Sequence, residues 1–360
     1  MDARRRGAGT VMRETIAVLG FTPRDTGRWI DFVAERPAAT LFHDHRWLEA
    51  VEAAYGYRNH HLIAERGGRI AGVLPLTLID SPLLGRSLIS TAFGIGGGIV
   101  AADDEAIVEL GRAARRLGER FAVNYVELRG GPSPGEEWIE KTGLYESFEK
   151  EMPAEADRIR DWLPRNRRAE VKKALRIDEA NEDSFRLDQR VDDFYAVYSA
   201  ALRNLGTPAM PKKFLRLLKE KFGDDADIAL VERNGEPVAG LFSFWRRDRV
   251  MPYYIGGGEA GRSMRAYDYL YYSLMRRAVA RGVRLFDFGR SKIGSTHSQT
   301  KTFWGFEGKP LVYHVALIRA TEPPNVNPNN PKFARFVEMW KKLPLPVANF
   351  LGPFAARNFP

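Results

Sequence analysis

The feature that most restricts how this chain folds is a duplication. The stretch W-L-E-A-V-E-A-A-Y-G ends at Gly56, and F-L-R-L-L-K-E-K-F-G ends at Gly223, 167 positions later. Each has apolar residues at helical spacing and stops on an aromatic followed by glycine, the pattern of a helix with its C-terminal stop. Next, L-I-A-E-R-G-G-R-I-A-G-V-L-P-L from Leu62 matches L-V-E-R-N-G-E-P-V-A-G-L-F-S-F from Leu230 at an offset of 168. Both are two apolar runs around a polar, glycine-containing turn, which predicts a β-hairpin. Then F-G-I-G-G-G from Phe93 matches Y-Y-I-G-G-G from Tyr253 at an offset of 160. The first copy therefore carries eight extra residues, expected as a loop around 84–87. A helical stretch (104–121 and 267–281) leads in each copy to a last strand, V-N-Y-V-E-L-R-G from Val123 and V-R-L-F-D-F-G-R from Val283.

Helix, strand, strand, strand with a glycine-rich end, helix, strand, twice over, predicts mixed α/β sheets. We divide the chain into a first domain at 1–150, a second at 151–320, and a linker with a tail at 321–360 that opens on a proline- and asparagine-rich run. A content of 44% hydrophobic and 11% aromatic residues fills packed cores and excludes a disordered or fibrous chain. Cysteine is absent, which removes disulfides, a thiolate metal site and a cysteine nucleophile. Six histidines without H-x-x-x-H spacing argue against a zinc enzyme. No run reaches the roughly 18 apolar residues of a membrane span, and Arg13 and Glu14 break the only stretch placed to be a signal peptide's core. A cytoplasmic protein is expected. The net charge of +9 suits an anionic partner such as a phosphate, tRNA or a lipid surface.

The order of elements resembles the GCN5-related N-acetyltransferase (GNAT) fold in tandem. With L-F-H-D-H-R-W-L-E-A-V, I-A-G-V-L-P-L, Y-V-E-L-R-G, L-G-T-P, P-Y-Y-I-G-G-G, F-D-F-G-R-S-K and K-T-F-W-G-F-E, spread over about 40–315, the chain resembles the FemAB family of peptidoglycan-bridge aminoacyltransferases. More narrowly it resembles the FemAB-like proteins associated with exosortase and PEP-CTERM systems. The resemblance implies two tandem acetyltransferase-like domains, mixed sheets flanked by helices, with the donor site in the second. It implies transfer of an aminoacyl group from aminoacyl-tRNA to an amine on a cell-envelope or exopolysaccharide-related acceptor, with no bound cofactor. The same fold equally permits an acyl-thioester donor (CoA or carrier protein), and a non-catalytic scaffold of the envelope machinery is a third reading.

Acyl transfer to an amine needs a proton acceptor, a stabilised oxyanion and a grip on a large anionic donor. The resemblance places Lys301 where the family's motif carries the lysine that stabilises the intermediate, although Thr300 departs from the motif and Trp304 stands in the wall. Its competing reading is a solvated surface lysine. Asp287 lies inside the apolar strand L-F-D-F-G and needs a partner, which Arg290 or Lys292 is placed to supply. It serves either as proton acceptor and orienter of Lys301 or as a structural ion pair, and Glu127 with Arg129 repeats the pattern in the first copy. After the second glycine run, Arg262 fits the first position of an acetyltransferase's CoA pyrophosphate loop, whereas Arg265 and Tyr267 replace its glycine and small residue, so two arginines at a helix start would hold phosphate or the tRNA acceptor end through their side chains. Ala101, Asp103, Asp104 and Glu105 stand there in the first copy and repel phosphate.

The basic run from Arg165 to Arg176, with Arg168 and Lys172, is either a solvated face or a phosphate or tRNA contact. Thr207 and Asn204 are candidates for an acceptor cleft or simply a turn, and Tyr253 belongs to an aromatic group expected in core and cleft wall. His43 and His45, just before the first helix, read as capping or surface residues. In the tail, Phe333, Phe336, Val337 and Trp340 form one apolar helical face flanked by Lys332, Arg335, Lys341 and Lys342. That face either packs on the second domain or docks on anionic lipid. From it we predict salt-sensitive peripheral membrane contact through 332–360 at the inner face of the plasma membrane.

Overall fold

A computed structural model of the chain describes residues 14–180, 185–187, 190–323 and 331–359. The basic N-terminus with Arg13, the linker at 324–330 and the side chains of Lys332 and Phe333 lie outside the described residues. The first half runs β1 (Ala17–Gly20), α1 (Thr26–Glu35), α2 (His45–Tyr55), β2 (Arg58–Asn59), β3 (Leu62–Arg66), β4 (Arg69–Leu74), β5 (Thr77–Ser81), β6 (Gly85–Ile89), β7 (Val100–Ala101), α3 (Asp104–Arg120), β8 (Tyr125–Arg129) and β9 (Ile139–Glu151). The second runs α4 (Ile159–Trp162), α5 (Arg165–Ala180), β10 (Phe185–Leu187), α6 (Val191–Leu205), α7 (Lys212–Phe222), β11 (Ala226–Arg233), β12 (Glu236–Arg246), β13 (Arg249–Gly257), α8 (Glu259–Ser263), α9 (Ala266–Ala280), β14 (Leu285–Lys292), α10 (Thr296–Phe303) and β15 (Gly308–Leu317). Two helices follow, α11 (Pro331–Lys341) and α12 (Leu345–Ala356).

The repeated helices form as their ends dictate. Asp44 accepts a hydrogen bond from the Arg46 amide at the start of α2, and Gly56 ends it with φ 69°. Helix α7 ends at Gly223 with φ 53°. The two copies of this helix pack on each other, with Trp47 edge-on to Phe214 at 5.7 Å and Lys221 bridging to Glu49 at 2.8 Å. Trp47 is fully buried in a core that draws Trp29 and Phe42 from one half and Phe194, Phe214, Phe242 and Phe244 from the other. Trp47→Ala would cost about 3–5 kcal/mol, and both halves would feel it.

The strands form two sheets, β1-β3-β4-β7 and an eleven-stranded sheet ordered β10-β11-β12-β13-β14-β9-β15-β8-β6-β5-β2. The large sheet crosses from one half to the other. Strand β9 sits between β14 and β15, and β15 sits between β9 and β8. Strands β13 and β14 pair in parallel only at Arg249–Leu285 and Val250–Phe286. Further along, residues of the first half stand against them.

Two expectations are corrected here. The extra residues of the first copy are not a loop, because Gly85–Ile89 is β6, paired antiparallel with β5 and parallel with β8. Leu84 ends the turn between β5 and β6, Gly85–Ser87 open β6, and the buried Leu88 and Ile89 that follow anchor the strand in the core. The tail helix α11 turns its apolar stripe inward. Trp340 is 4% exposed, Phe336 and Val337 are half-buried, and Gly206 at the end of α6 lies so close to Val337 that a Cβ there would stand 2.4 Å from it. The described part of the stripe packs on the fold, which was the other reading of this face, and the buried Trp340 is not available to lipid. Among the described residues no helix is long and apolar enough to cross a membrane.

Candidate active site

Strand β14 carries the first element of the site. Its register against β9 slips between Asp287 and Gly289: Asp287 faces Glu149, and Gly289 faces Phe148, the next residue. Phe288 is the extra residue, and Gly289 takes φ 65°, a left-handed conformation that suits glycine. A slip of one residue reverses every following side chain. Strict alternation would set Arg290 on the Phe288 side, with the apolar core of Phe286, Trp304 and Phe306. After the bulge it faces the same way as Ser147, its partner on β9. Its guanidinium stacks on Tyr145 at 4.3 Å and donates to the Tyr313 hydroxyl.

The two residues singled out as catalytic brace this bulge. Lys301 Nζ donates to the carbonyls of Phe288 at 2.7 Å and Arg290 at 2.9 Å, with Gly289 O at 3.4 Å. Burial pushes its ammonium down to about 8. Asp287 accepts from the Gly289 amide at 2.8 Å and pairs with Arg249 at 3.1 Å. The expected pairing with Arg290 or Lys292 is therefore corrected to Arg249, which lies beside the start of β14 across the short parallel ladder, while the Arg290 guanidinium is taken up by Tyr145 and Tyr313. Burial raises the Asp287 pKa against the opposing pull of Arg249. Lys301 is not a solvated surface residue.

Arg290 opens into a cavity of about 390 Å³, within the usual small-ligand range of roughly 300–1,000 Å³. Its floor is the face of β6, β8, β9 and β15, with Glu127, Arg129, Tyr145 and Tyr313. Glu127 and Arg129 form a buried pair at 3.0 Å. Helix α6 and the turn after it supply Leu202, Thr207 and Met210, and the tail supplies Phe336, Val337 and Asn358. The tail is held there by Ser81, which donates to Asn358 at 2.8 Å, and by Tyr57, which donates to the Arg357 carbonyl at 2.5 Å. Of the residues expected at a site, Thr207 and Arg290 line this cavity, and Lys301 and Asp287 act on it through the strand.

The cavity also touches the first glycine run through Phe93. This run is a loop tied by its carbonyls. Trp47 Nε1 donates to Ala92 O at 3.3 Å, Tyr253 to Phe93 O at 2.7 Å and Arg129 to Gly94 O at 2.9 Å. His43 holds Gly98. Its Nδ1 accepts from the Thr40 amide, so Nε2 carries the proton and donates to Gly98 O at 2.7 Å. Burial lowers the ring's pKa to about 4 and keeps it neutral. Thr91 and Phe93 take φ 46° and 59°, strained values for a β-branched and an aromatic residue. The histidine stretch thus caps a turn and also anchors the loop.

The remaining expected residues lie elsewhere. At the start of α9, Arg265 (φ 56°) pairs with Glu170 at 2.5 Å, and Asp268 of the first turn, 8% exposed, pairs with Arg167 at 2.6 Å. The side-chain phosphate grip expected of Arg265 is corrected: α5 packs there and Glu170 takes the guanidinium. Arg262, Arg168 and Lys172 are exposed, Tyr267 donates to Gly257 O at 3.1 Å, and Trp304 is core. None of these six lines the cavity. Tyr145 and Tyr313 are the residues that sequence reading missed as a pair. Glycine inside the strand L-F-D-F-G is the signal that would have exposed the bulge.

Residues 165–297 match the model of the acetyltransferase (GNAT) domain family. The second half carries an acyltransferase domain. The match runs from the first residue of α5 into α10 and includes Arg290. By structure the chain is similar to FemX, at 13% identity and TM-score 0.61, over 84% of this chain and 98% of that one. It is similar to a tandem GNAT protein from the clavulanic acid biosynthesis pathway (13%, TM-score 0.53, 86% and 100%). It also matches the C-terminal domain (DUF2156) of a candidate lysylphosphatidylglycerol synthetase from Agrobacterium fabrum (15%, TM-score 0.53, 81% and 91%). At these identities the likeness is one of fold, and the fold is the tandem GNAT fold. No curated protein matches the chain in sequence.

Proposed function

We propose that this protein transfers an aminoacyl group from aminoacyl-tRNA to an amine held in the Arg290 cavity. The observation that carries the reading is that an acyltransferase domain presents Arg290, through a braced bulge, to a cavity shared by both halves. The acceptor nitrogen attacks the donor's carbonyl carbon and a C–N bond forms. The ester C–O bond then breaks and the amine's proton passes to the departing ribose oxygen. In this reading Lys301 and Asp287 position Arg290 and the β14 carbonyls. The acceptor that the family resemblance implies is a cell-envelope or exopolysaccharide-related amine of the kind found with exosortase systems.

The helix start where a CoA pyrophosphate would sit favours tRNA over CoA. Asp268 and Glu170 put two carboxylates there, and their ion pairs occupy Arg167 and Arg265. A phosphate at that point would meet like charge and filled arginines. A second reading, with an acyl-thioester donor, is favoured by the acetyltransferase description of the matched family. Incubating the protein with labelled aminoacyl-tRNA and labelled acyl-CoA pools, in the presence of an envelope extract, separates them. Transfer from tRNA alone supports the proposal, transfer from CoA alone replaces it with the second reading, and transfer from neither overturns both.

A further inference from the structure

The cavity's lining says more about what it holds. Arg290 is a partly buried guanidinium, and among the described residues it makes no ion pair. Its Nη1 donates to Tyr313, so the phenol oxygen is the acceptor there and its own proton is free to point elsewhere. Burial holds that phenol's pKa above its ordinary value, so it remains a donor. Arg290 and Tyr313 together present two donors, one of them charged, at one spot in the cavity. The Glu127 carboxylate is neutralised at 3.0 Å by Arg129. Around this spot the walls are apolar: Ile89, Phe93, Leu144, Leu202, Met210 and Phe336. A cation without a counterion at an apolar wall costs free energy that an anionic ligand would recover.

We propose that the cavity takes an amphipathic anion, with a carboxylate or phosphate head on Arg290 and Tyr313 and an apolar body along Leu202, Met210 and Phe336. This rests on reading the cavity as the acceptor site and narrows that acceptor to molecules with both features. A sugar or peptide that is polar throughout would leave the apolar walls unused, and a neutral lipid would leave Arg290 uncompensated. The tail helices complete the apolar wall, so they are part of the recognition.

Isothermal titration of the full chain with decyl phosphate and decanoate, below their micelle concentrations, tests this without any donor present. Decanol and inorganic phosphate report the body and the head alone. We expect one-to-one binding of at least one anionic probe, about tenfold or more tighter than either control, and the stronger of the two probes identifies the head. Arg290→Gln should weaken that binding about tenfold. Tyr313→Phe keeps the ring and the fold and should weaken it several-fold, as should Met210→Gln from the other end. Decanol binding as tightly as decyl phosphate and decanoate, or no saturable binding by either anion, overturns the inference. A protein that fails this test yet still transfers aminoacyl groups to a wholly polar amine leaves the proposed function standing. One that binds the probes but transfers nothing leaves the cavity assignment and removes the reaction.

Discussion

The two glycine runs, F-G-I-G-G-G at Phe93 and Y-Y-I-G-G-G at Tyr253, are near-copies in sequence and opposites in structure. The second continues β13, with Ala239, Gly240, Leu241 and Phe242 of β12 paired to Gly257, Gly256, Ile255 and Tyr254. The first leaves the ladder after Ile89 and turns through Thr91 and Phe93 at positive φ. Backbone groups that lose a ladder must find partners elsewhere, and here side chains supply them: Trp47, Arg129, His43 and Tyr253. The second copy needs none of these, and Met210 stands where His43 would repeat. Repetition in sequence therefore marks shared ancestry of shape, while the surrounding side chains decide which copy stays a strand. Tyr253 joins the two runs through its bond to Phe93 O.

Substituting equivalent glycines should give the largest contrast. A Cβ on Gly98 would stand 1.9 Å from the Gly130 carbonyl oxygen, whereas one on Gly258 meets nothing within 4 Å. Chemical denaturation of Gly98→Ala should show a loss of about 4 kcal/mol or more, and of Gly258→Ala a change within about 0.5 kcal/mol. Equal effects would break the comparison.

Acid should discriminate next. His43 is held neutral with a pKa of about 4, and His61, whose Nδ1 accepts from the Leu76 amide, is lowered by burial to about 3. An unfolded histidine takes up its proton near pH 6.5, so between there and pH 4 the unfolded state binds more protons and stability falls as pH falls. The His43 share of that loss is about 3 kcal/mol. Unfolding free energies measured from pH 7 to pH 4 should show a shallower slope in His43→Gln, by up to about 1.4 kcal/mol per pH unit. An unchanged slope would mean that His43 is not the buried tether of Gly98. Smallest is the link itself: Tyr253→Phe removes one hydrogen bond and should cost about 1 kcal/mol in thermal or chemical unfolding. A loss much above that would show that the two runs depend on each other more than one bond implies.

Much of this fold was legible because periodicity survives duplication. The helices α2 and α7, the hairpins β3–β4 and β11–β12, and the strands β8 and β14 stand where the repeat put them. Strands β9 and β15 lie beyond the stretches matched in the repeat and bridge the halves by pairing with each other and with β14 and β8, a long-range choice that no local pattern carries. The site was half legible. Residue type pointed to Asp287 and Lys301, but a buried charge in a strand says only that a partner exists. The partners proved to be Arg249 and the backbone of 288–290, and part of the cavity wall came from a tail whose apolar stripe fits inward as readily as outward by its spacing alone.

In the proposed function Lys301 acts by holding the β14 bulge that aims Arg290. A double-mutant cycle on transfer tests it, using the donor and acceptor pair found in the pooled screen and comparing kcat/KM for Arg290→Gln, Lys301→Met and the double variant. If Lys301 works through Arg290, each single change lowers kcat/KM by about 100-fold and the double variant is no slower than the worse single one. Losses that multiply, to about 10,000-fold, would contradict the claim and make Lys301 an independent catalytic group.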